Sequence, residues 1–296
     1  MPVVLLKQQN DRAGGAANVA ANLAELGVET HIAGCVGQDT EASILVGLIN
    51  RLGISTDAVI HSETRPTTAK TRVMSSHQQI VRVDQESSQA FNEAESTELR
   101  VRIDEALKNK PAIVILSDYA KGVLSDAMCK AIIKECNFAG IPVIADPKGL
   151  DYSKYQGATA LTPNKKETAE ACGVSMNDSK ALLTGAKDLK KKLGLQFLAV
   201  TRGEEGISLL EGSEEHQIAA TAKQVFDVSG AGDTVIATLA AGLIHGLTAQ
   251  EALELANAAA GIVVGKVGTM PINRDELLNE LSTKDATEQA DKITDL

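Results

Sequence analysis

The sequence predicts an α/β protein with a mostly parallel sheet, helices on both faces and a small β flap outside the sheet. From residue 96 onward, short apolar runs typical of buried strands alternate with runs typical of helices. Residues 67–84 contain two stretches of alternating apolar and polar side chains, which predict a hairpin. Ligands bind at the carboxyl ends of parallel strands. Polar clusters follow the predicted strands at 117–122, 146–149, 162–167 and 201–206.

The composition is typical of a globular domain and disfavours several classes of partner. The 296 residues are 44% hydrophobic and 23% charged, with a net charge of −10. That charge disfavours nucleic acid and anionic membranes, and no apolar run is long enough to span a bilayer. We expect a cytoplasmic protein whose cysteines are reduced and mostly buried, because they form no C-x-x-C motif. They are Cys35, Cys129, Cys136 and Cys172.

The first third of the chain is predicted to begin with a short apolar strand at residues 3–6. A helix with apolar residues from Ala17 to Leu26 follows and ends at Gly27. The same patterns predict a strand at 28–35, a capped turn at 37–40 and a helix at 41–52.

The rest of the chain is predicted to alternate between strands and helices within one domain, residues 1–281. Residues 1–8 and 65–85 form the flap, and a polar tail covers 282–296. Helices are predicted at 96–107, 125–139, 178–193 and 236–244, and after Thr248. Strands are predicted at 112–116, 142–145, 160–161 and 197–200, with antiparallel edge strands at 207–210 and 216–220.

Residues 225–235, with the sequence Val-Phe-Asp-Val-Ser-Gly-Ala-Gly-Asp-Thr-Val, contain the strongest candidate site. The turn formed by Gly230, Ala231 and Gly232 precedes a helix, so its N–H groups form an anion site. Asp233 stands beside that site, where a carboxylate is useful mainly as a base for an attacking hydroxyl. The alternative is that Asp233 caps the helix and the glycines only make a tight turn.

Two further sets of polar residues lie at predicted helix starts. Gly14 and Gly15 bring backbone N–H groups there, and Asn18 offers an amide to a hydroxylated ligand. Alternatively, these glycines only let the helix pack closely on a strand. Asn164 and Glu167 suit Mg²⁺ and its waters, or they form a helix cap with an exposed Glu.

Two nucleotide-binding motifs are rejected. Gly230 and Gly232 lack the third glycine of a dinucleotide fingerprint, because Val235 stands in its place. The run from Gly261 to Lys266 is one residue too short for a P-loop, and Val267 replaces the required Ser or Thr.

Several motifs together resemble the ribokinase-like family of carbohydrate kinases, over nearly the whole chain and in the same order. They are Gly14-Gly15 with Asn18, Asn164-x-x-Glu167, Thr201-x-Gly203 and Asp227-x-x-Gly230-Ala231-Gly232-Asp233. Within the family, residues 14–20, 116–122, 146–149 and 256–266 resemble the D-glycero-β-D-manno-heptose-7-phosphate kinase branch, which acts in ADP-heptose synthesis for lipopolysaccharide core. The resemblance implies a ribokinase-like three-layer αβα sandwich with a β lid, and ATP, Mg²⁺ and K⁺ as cofactors.

The resemblance also implies a role for each motif. Asp233 takes the proton of the sugar's anomeric hydroxyl as that oxygen attacks ATP, and Gly230, Ala231 and Gly232 form the anion hole. By the same resemblance, Asn164 and Glu167 bind Mg²⁺ through water, and nucleotide is bound by Asn164, Thr201, Gly203 and Asn257. A monovalent cation is held by Asp227 and by carbonyls near Ser229, Val264 and Gly268. The sugar is bound by Gly14, Gly15, Asn18 and Asp118.

A sugar that is already phosphorylated needs a cationic clamp far from the base. Lys70 and Arg72 share one face of the flap, and we expect them to bind that phosphate. Alternatively, they are solvated surface charges. Lys148, at a strand end, is a further candidate for the clamp, but it could instead reach the nucleotide phosphates. The expected partners are a sugar phosphate and ATP, with a homodimer formed through the flap.

The sequence departs from the family in one respect. Family members begin with a strand bearing Gly-Asp, whereas this sequence starts at the following flap strand, so we expect a sheet strand and part of the sugar site to be missing. Three hypotheses remain: the heptose-phosphate kinase, a related kinase of another sugar, and an inactive remnant that binds nucleotide or only dimerises.

Overall fold

A computed structural model describes residues 5–75, 78–221 and 225–282. Strands within these residues are two to eight residues long. They are β1 (His31–Gly37), β2 (Ser55–Ser62), β3 (Ala69–Ser75), β4 (Gln78–Gln85), β5 (Val114–Ser117), β6 (Val143–Asp146), β7 (Ala160–Leu161), β8 (Phe197–Thr201), β9 (Ile207–Glu211) and β10 (Glu214–Ile218).

Most of the helices begin at polar residues whose side chains accept a hydrogen bond from a first-turn amide, which lowers the cost of the unpaired helix end. Asp39, Asn92, Ser125, Asn164, Asp178 and Thr248 cap helices in this way. The helices are α1 (Ala16–Glu25), α2 (Thr40–Arg51), α3 (Glu93–Leu107), α4 (Asp126–Ala139), α5 (Lys165–Cys172), α6 (Ser179–Leu193), α7 (Ala231–Ile244) and α8 (Ala249–Val263).

The main sheet has six strands in the order β10-β9-β8-β7-β6-β5. The neighbours from β5 to β8 are parallel, whereas β9 and β10 extend the sheet as antiparallel strands. The carboxyl ends of the parallel strands therefore meet at one edge. As a result, the polar segments that follow β5, β6, β7 and β8 lie side by side, as the sequence predicts.

The sheet is buried between two apolar clusters, which makes the predicted three layers. Along β8, Leu198 and Val200 face a cluster with residues of α3, α4 and α6. Phe197 and Ala199 face the opposite cluster, built from α1, α7 and α8. Because side chains alternate across a strand, a strand buried on both faces is apolar at every position. The unbroken apolar run of β8 follows from this arrangement.

Two smaller sheets lie before the main one in the chain. The antiparallel pair β3 and β4 is the predicted hairpin, in a sheet of its own. β1 pairs in parallel with β2, a strand that the sequence analysis did not predict. The predicted strand at residues 3–6 is not found where it can be assessed: Leu5 and Leu6 are exposed and belong to no strand. Residues 1–4 and most of the predicted tail lie outside the described residues.

The cysteines follow the expectation in part. Cys129 and Cys136 are buried, Cys35 and Cys172 are half-buried, and all four are free. Among the helices of the described residues, none is long and apolar enough to cross a membrane.

The junction between β8 and β9 requires glycine at position 206. Gly206 has φ +82°, and a Cβ there would lie 1.9 Å from the Ile218 carbonyl oxygen. Gly206→Ala should therefore combine backbone strain with a collision and reduce the free energy of unfolding by about 2–5 kcal/mol. Urea unfolding of the purified variant measures the loss.

Gly212→Ala is the matched control for this prediction. Gly212 also has a positive φ, +52°, but a Cβ there meets no atom within 4 Å. Only backbone strain should therefore lower the free energy of unfolding of Gly212→Ala, by about 1–2 kcal/mol. Equal losses in the two variants would show that the contact with Ile218 is not what requires glycine at position 206.

Candidate active site

Asp233 lies in the first turn of α7, whose N-cap is Gly230. Gly230 has φ +83°, and a Cβ there would lie 2.8 Å from Asn18 Nδ2 and 3.0 Å from Thr269 Cγ2, so only glycine fits. The first-turn amides of a helix have no carbonyl four residues earlier and can bind an anion. The N-cap position belongs to Gly230, so the alternative in which Asp233 is the helix N-cap is wrong.

Both carboxylate oxygens of Asp233 accept hydrogen bonds from residues distant in the chain. Asn18 Nδ2 donates to Oδ2 at 2.8 Å, and the Tyr119 hydroxyl donates to Oδ1 at 2.6 Å. Burial raises the pKa of Asp233 above its ordinary value, while these two donors limit the rise. A buried carboxylate held in this way is oriented and is a stronger proton acceptor than an exposed aspartate.

Asn22, one helical turn after Asn18, fixes the orientation of the Asn18 amide. Asn22 Nδ2 donates to Asn18 Oδ1 at 3.3 Å, which leaves Asn18 Nδ2 facing Asp233. Asn22 Oδ1 accepts from Thr234 Oγ1 and from the Ile272 amide. Asn22 is fully buried, so this polar group is stable there only because its partners are supplied by the protein. No motif in the sequence marks Asn22.

Asp118, predicted to bind the sugar, is buried and satisfied by protein donors. Its Oδ2 accepts from the Tyr155 hydroxyl at 2.6 Å and from Lys154, and its Oδ1 accepts from the Ala120 amide at 2.7 Å. The Tyr155 hydroxyl in turn accepts from the Lys148 amide at 3.1 Å. Asp118 therefore supports the segments after β5 and β6. Lys154 and Tyr155 lie in a 3₁₀ turn that no sequence motif marks.

Asn164 and Glu167 form a reciprocal cap at the start of α5. Asn164 Oδ1 accepts from the Glu167 amide, and Glu167 Oε2 accepts from the Asn164 amide at 3.0 Å. Glu167 Oε1 also forms an ion pair with Lys148 Nζ at 2.7 Å. The helix cap of the alternative interpretation is therefore present. Its prediction that the Glu is exposed is wrong, because Glu167 is 9% exposed and lies at the edge of the cleft.

A cleft of about 190 Å³ brings many of these groups together. The Asp146 carboxylate lies in it and has no hydrogen bond or ion pair within the described residues. Desolvation, followed by the charges of Glu167 and Asp233, raises the pKa of Asp146 to about 8. The cleft is lined by Asp118, Tyr119, Asp146, Pro147, Lys148, Glu167, Gly230, Gly232 and Asp233. A larger groove of about 520 Å³ beside α6 contains none of them.

The predicted nucleotide-binding residues lie near the carboxyl end of β8 and in α8. Thr201 forms an isolated parallel bridge with Asn164, so these two residues are adjacent. Gly203 begins the following 3₁₀ turn with φ +62°. Asn257 is buried, and its amide donates to the Ala219 carbonyl at 2.8 Å. None of Thr201, Gly203 and Asn257 lines the 190 Å³ cleft.

Asp227, the predicted ligand of a monovalent cation, ties two loops together. Its Oδ1 accepts from the Ser229 amide at 2.9 Å, and its Oδ2 accepts from the Gly268 amide at 3.1 Å. Burial opposes ionisation, but these hydrogen bonds and the charge of Arg72 hold the Asp227 pKa below its ordinary value. The Val264 carbonyl already accepts two backbone amides. Within the described residues, no cluster of three His, Cys, Asp or Glu forms a metal site.

The cations of the hairpin differ in their surroundings. Lys70 forms ion pairs with Asp84 at 3.1 Å and Glu86 at 2.7 Å. Arg72 stands opposite Arg82 in the register of β3 and β4, and Arg82 pairs with Asp84. No ion pair of Arg72 occurs among the described side chains. Arg72 is therefore the better placed of the two predicted residues to bind an anion.

Gly14 and Gly15 precede α1, and Gly15 is its N-cap with φ +57°. A Cβ at Gly15 would lie 3.5 Å from the Tyr119 ring, whose hydroxyl reaches Asp233. The structure therefore brings Gly15 and Asn18 to the same carboxylate as the segment after β5.

Comparison with known proteins identifies one family. The model of the pfkB family of carbohydrate kinases matches residues 2–276. The bifunctional protein HldE of Methylobacillus flagellatus is 58% identical, over 100% of this chain and 61% of its own length. The bifunctional protein HldE of Magnetococcus marinus is 48% identical, over 99% of this chain and 61% of its own length. The chain thus spans about three fifths of these relatives.

Solved structures share the fold. Arabidopsis thaliana ribokinase complexed with ribose and ATP has a TM-score of 0.71 and 25% identity, covering 90% of this chain and 86% of the ribokinase. Escherichia coli phosphofructokinase-2 in complex with substrates and products has a TM-score of 0.77 and 19% identity, covering 91% of this chain and 87% of its own. The predicted ribokinase-like fold is confirmed.

The raised pKa of Asp146 predicts a pH-dependent cost to stability. The unfolded chain restores the ordinary value of 3.8, so from about pH 4 to about pH 8 the folded state holds a proton that the unfolded state lacks. Stability conferred by this group therefore falls as pH rises through that window and then levels off. The melting temperature of Asp146→Asn minus that of the wild type should therefore increase as the pH is raised from 5 to 8, and should stay constant above pH 8.

Thermal unfolding in EDTA at each pH measures this difference without bound metal. Asp151→Asn is the control, because hydrogen bonds from Ser153 lower the pKa of Asp151 and its stabilisation is constant in this range. A pH-independent difference between Asp146→Asn and the wild type would contradict the prediction.

Proposed function

The chain belongs to the pfkB family of carbohydrate kinases, and we propose that it transfers the γ-phosphoryl group of ATP to the anomeric hydroxyl of a heptose 7-phosphate. The observation that supports the chemistry most directly is Asp233, a buried carboxylate oriented by two donors at the N-terminus of α7. The choice of heptose 7-phosphate rests on the motifs at residues 14–20, 116–122 and 146–149, and on the 58% identity to a bifunctional HldE protein.

In the proposed reaction, Asp233 takes the proton of the acceptor hydroxyl as the acceptor oxygen attacks the γ-phosphorus. The bond from that phosphorus to the β–γ bridging oxygen breaks, and ADP leaves. The amides at Gly230 and Gly232 stabilise the negative charge on the transferring group, because a helix N-terminus is a site of partial positive charge. The Ala231 amide, also predicted for the anion hole, donates to the Val228 carbonyl at 3.2 Å. Asn18 keeps the base in place during the transfer.

The residues beside β6 and α5 fit a hydrated divalent cation. Both Glu167 oxygens already accept protein hydrogen bonds, which favours contact with Mg²⁺ through water. The Asp146 carboxylate, without a partner in the described structure, supplies a further oxygen of the kind that Mg²⁺ prefers. When bound, Mg²⁺ neutralises phosphate charge in the cleft.

Residues further along the sheet edge would bind the nucleotide. Thr201 ends β8 next to Asn164, Gly203 follows two residues later, and Asn257 holds the segment at Ala219. We assign the adenosine to this region.

We assign K⁺ to Asp227 and nearby carbonyls. The Asp227 carboxylate can accept more contacts than the two amide hydrogen bonds that it already has. E. coli phosphofructokinase-2, a fold neighbour, has a structure in complex with potassium.

The acceptor sugar would lie between the start of α1 and the loop after β5. Gly14 and Gly15 would approach it just before α1, and Asp118 holds the loop through the Ala120 amide. The buried Asn18 amide is directed to Asp233, so Asn18 would act on the sugar through the base. The exposed apolar residues of the hairpin favour a homodimer through the flap, because an apolar surface is stabilised by burial against a second copy. They are Met74, Ile80, Val81 and Val83.

A panel of sugars tests the substrate class. Melting temperature is measured with heptose 7-phosphate, fructose 6-phosphate and ribose, each with ATP and Mg²⁺, since ligands that bind the native state stabilise it. A shift and ADP release only with heptose 7-phosphate support the proposal. A preference for another sugar favours a related kinase, and nucleotide binding without transfer to any sugar favours the inactive remnant.

Asp233→Asn should lower kcat by about a hundredfold to ten-thousandfold, because the amide cannot accept the proton. The substitution keeps the size of the side chain, so the affinity for ATP from thermal shift should stay close to that of the wild type. Asp126→Asn, in the exposed first turn of α4, is the control and should retain kcat. A wild-type kcat in Asp233→Asn would exclude this residue as the base.

Arg72→Ala should raise the KM for the sugar phosphate by about tenfold to hundredfold and leave the KM for ATP unchanged. Lys70→Ala is the matched control from the same face of the hairpin. Its ammonium is already paired with Asp84 and Glu86, so a much smaller change is expected. A rise in the KM for ATP alone, or equal effects of the two substitutions, would remove Arg72 from the phosphate site.

A further inference from the structure

The side chain of Tyr119 stands where an acceptor hydroxyl must approach the base. Its hydroxyl lies 2.6 Å from Asp233 Oδ1, the distance of a strong hydrogen bond to a charged oxygen. Its ring lies against Gly15, with ring carbons 3.5 to 3.8 Å from the position of a Cβ. A phenol is itself a hydroxyl donor, so in this structure Tyr119 makes to Asp233 the contact that a sugar hydroxyl would make.

The backbone around Tyr119 is held on both sides. The Ala120 amide donates to Asp118 Oδ1, and the Asp118 amide donates to the Asp146 carbonyl at 3.1 Å. On the other side, Arg65 donates to the Lys121 carbonyl at 2.6 Å. Ala120 has φ +52°, a strained value for alanine that such contacts maintain.

The side chain, in contrast, has room to leave the base. Tyr119 is 42% exposed, although its hydroxyl points inward to Asp233. Rotation about its χ1 bond moves the ring toward solvent without any change in the held backbone. Such a rotation frees both Asp233 Oδ1 and the space over Gly15.

We propose that Tyr119 occupies the acceptor-hydroxyl position on Asp233 in the free enzyme and is displaced by the sugar, so that the base is engaged until the correct acceptor arrives. This inference rests on the proposed kinase function, because it assigns Asp233 as the base. It makes Tyr119 a residue that determines specificity for sugar over water. The acceptor has to compete with a protein hydroxyl, and the competition reduces its apparent affinity.

The reaction that Tyr119 prevents is hydrolysis of ATP. A water oxygen bonds to the γ-phosphorus, the bond to the β–γ bridging oxygen breaks, and the proton of the water passes to Asp233. The products are ADP and phosphate. With the phenol on Oδ1 and its ring over Gly15, water lacks the position from which it attacks. A sugar that displaces the ring fills that position itself.

The test compares Tyr119→Phe with the wild type and with Tyr152→Phe. Tyr152 is buried and its hydroxyl has no hydrogen-bond partner in the described structure, so Tyr152→Phe removes a phenolic hydroxyl that makes no such contact. Hydrolysis of ATP without sugar should rise about tenfold to hundredfold in Tyr119→Phe, the range expected for loss of a hydrogen bond to a charged group. It should be unchanged in Tyr152→Phe.

Two further measurements define the outcome. The KM for the sugar phosphate should fall in Tyr119→Phe, because the acceptor no longer competes with the hydroxyl. The added hydrolysis should disappear in the double variant Tyr119→Phe/Asp233→Asn, which shows that it uses the same base. A lower kcat for the sugar with unchanged hydrolysis would overturn the proposal, since the hydroxyl would then remain on Asp233 during transfer.

Displacement can also be observed directly, because the chain contains three tyrosines and no tryptophan. With ¹³Cζ-labelled tyrosine, the Tyr119 signal is assigned by its absence in Tyr119→Phe. It should shift on saturation with the sugar phosphate, while the signals of Tyr152 and Tyr155 stay in place. A Tyr119 signal unmoved by a sugar phosphate that raises the melting temperature would overturn the proposal.

A wrong acceptor class and a wrong role for Tyr119 would give different experimental results. If no sugar phosphate of the panel binds or is phosphorylated, the proposed acceptor class is wrong. The comparison of ATP hydrolysis between Tyr119→Phe and Tyr152→Phe still decides the role of Tyr119, because it requires no sugar. Equal hydrolysis in the two variants and the wild type overturns that role even where the kinase reaction is found.

Discussion

The site depends on the requirement that the buried Asp233 carboxylate be solvated by the protein. An ionised carboxylate removed from water is stable only if fixed donors replace its hydration. Asn18 and Tyr119 supply those donors from α1 and from the loop after β5. Three elements distant in the chain, α1, the β5 loop and α7, therefore have to meet at one side chain. Gly230 permits this close approach, because a Cβ there would lie only 2.8 Å from Asn18 Nδ2.

The supporting contacts extend this requirement to the rest of the fold. Asn22 orients Asn18 and ties α1 to Thr234 in α7 and to the amide of Ile272. On the other side, Asp118 holds the β5 loop through Ala120 and connects it through Tyr155 to the segment after β6. A buried polar network that is satisfied throughout is rigid, whereas a single missing partner leaves an uncompensated group. The geometry of Asp233, the proposed base, is thus set in part by Asn22 and Tyr155, which do not line the cleft.

The sequence predicted what depends on local pattern and missed what depends on tertiary contact. The strand and helix alternation after residue 96, the hairpin and the Gly-Ala-Gly-Asp turn follow from periodicity and from glycine chemistry, and the structure contains them. Motif resemblance also indicated the family, and the match of the pfkB model confirms it. The roles of Asn22, Tyr119 and Tyr155 could not be predicted, because each arises from partners brought together only by folding, such as Tyr119 and Asp233, 114 positions apart. β2 was missed because its apolar run, Ala58 to Ile60, is only three residues long and is enclosed by Asp57 and His61.

The charges of the cleft bear on how the proposed phosphate substrate would bind. Asp146, Glu167 and Asp233 line the same small volume, and Lys148, the one lysine among its described lining residues, is paired with Glu167. A triphosphate alone would add negative charge to this set and would be repelled. The mutual repulsion already has an effect within the protein, because it contributes to the raised pKa of Asp146. A divalent cation would have the opposite effect on the Asp146 pKa, since it favours the ionised form of each nearby carboxylate. In the proposed kinase, binding of a metal nucleotide would therefore be coupled to loss of the Asp146 proton, and these carboxylates would favour phosphate that is bound to a metal over free phosphate.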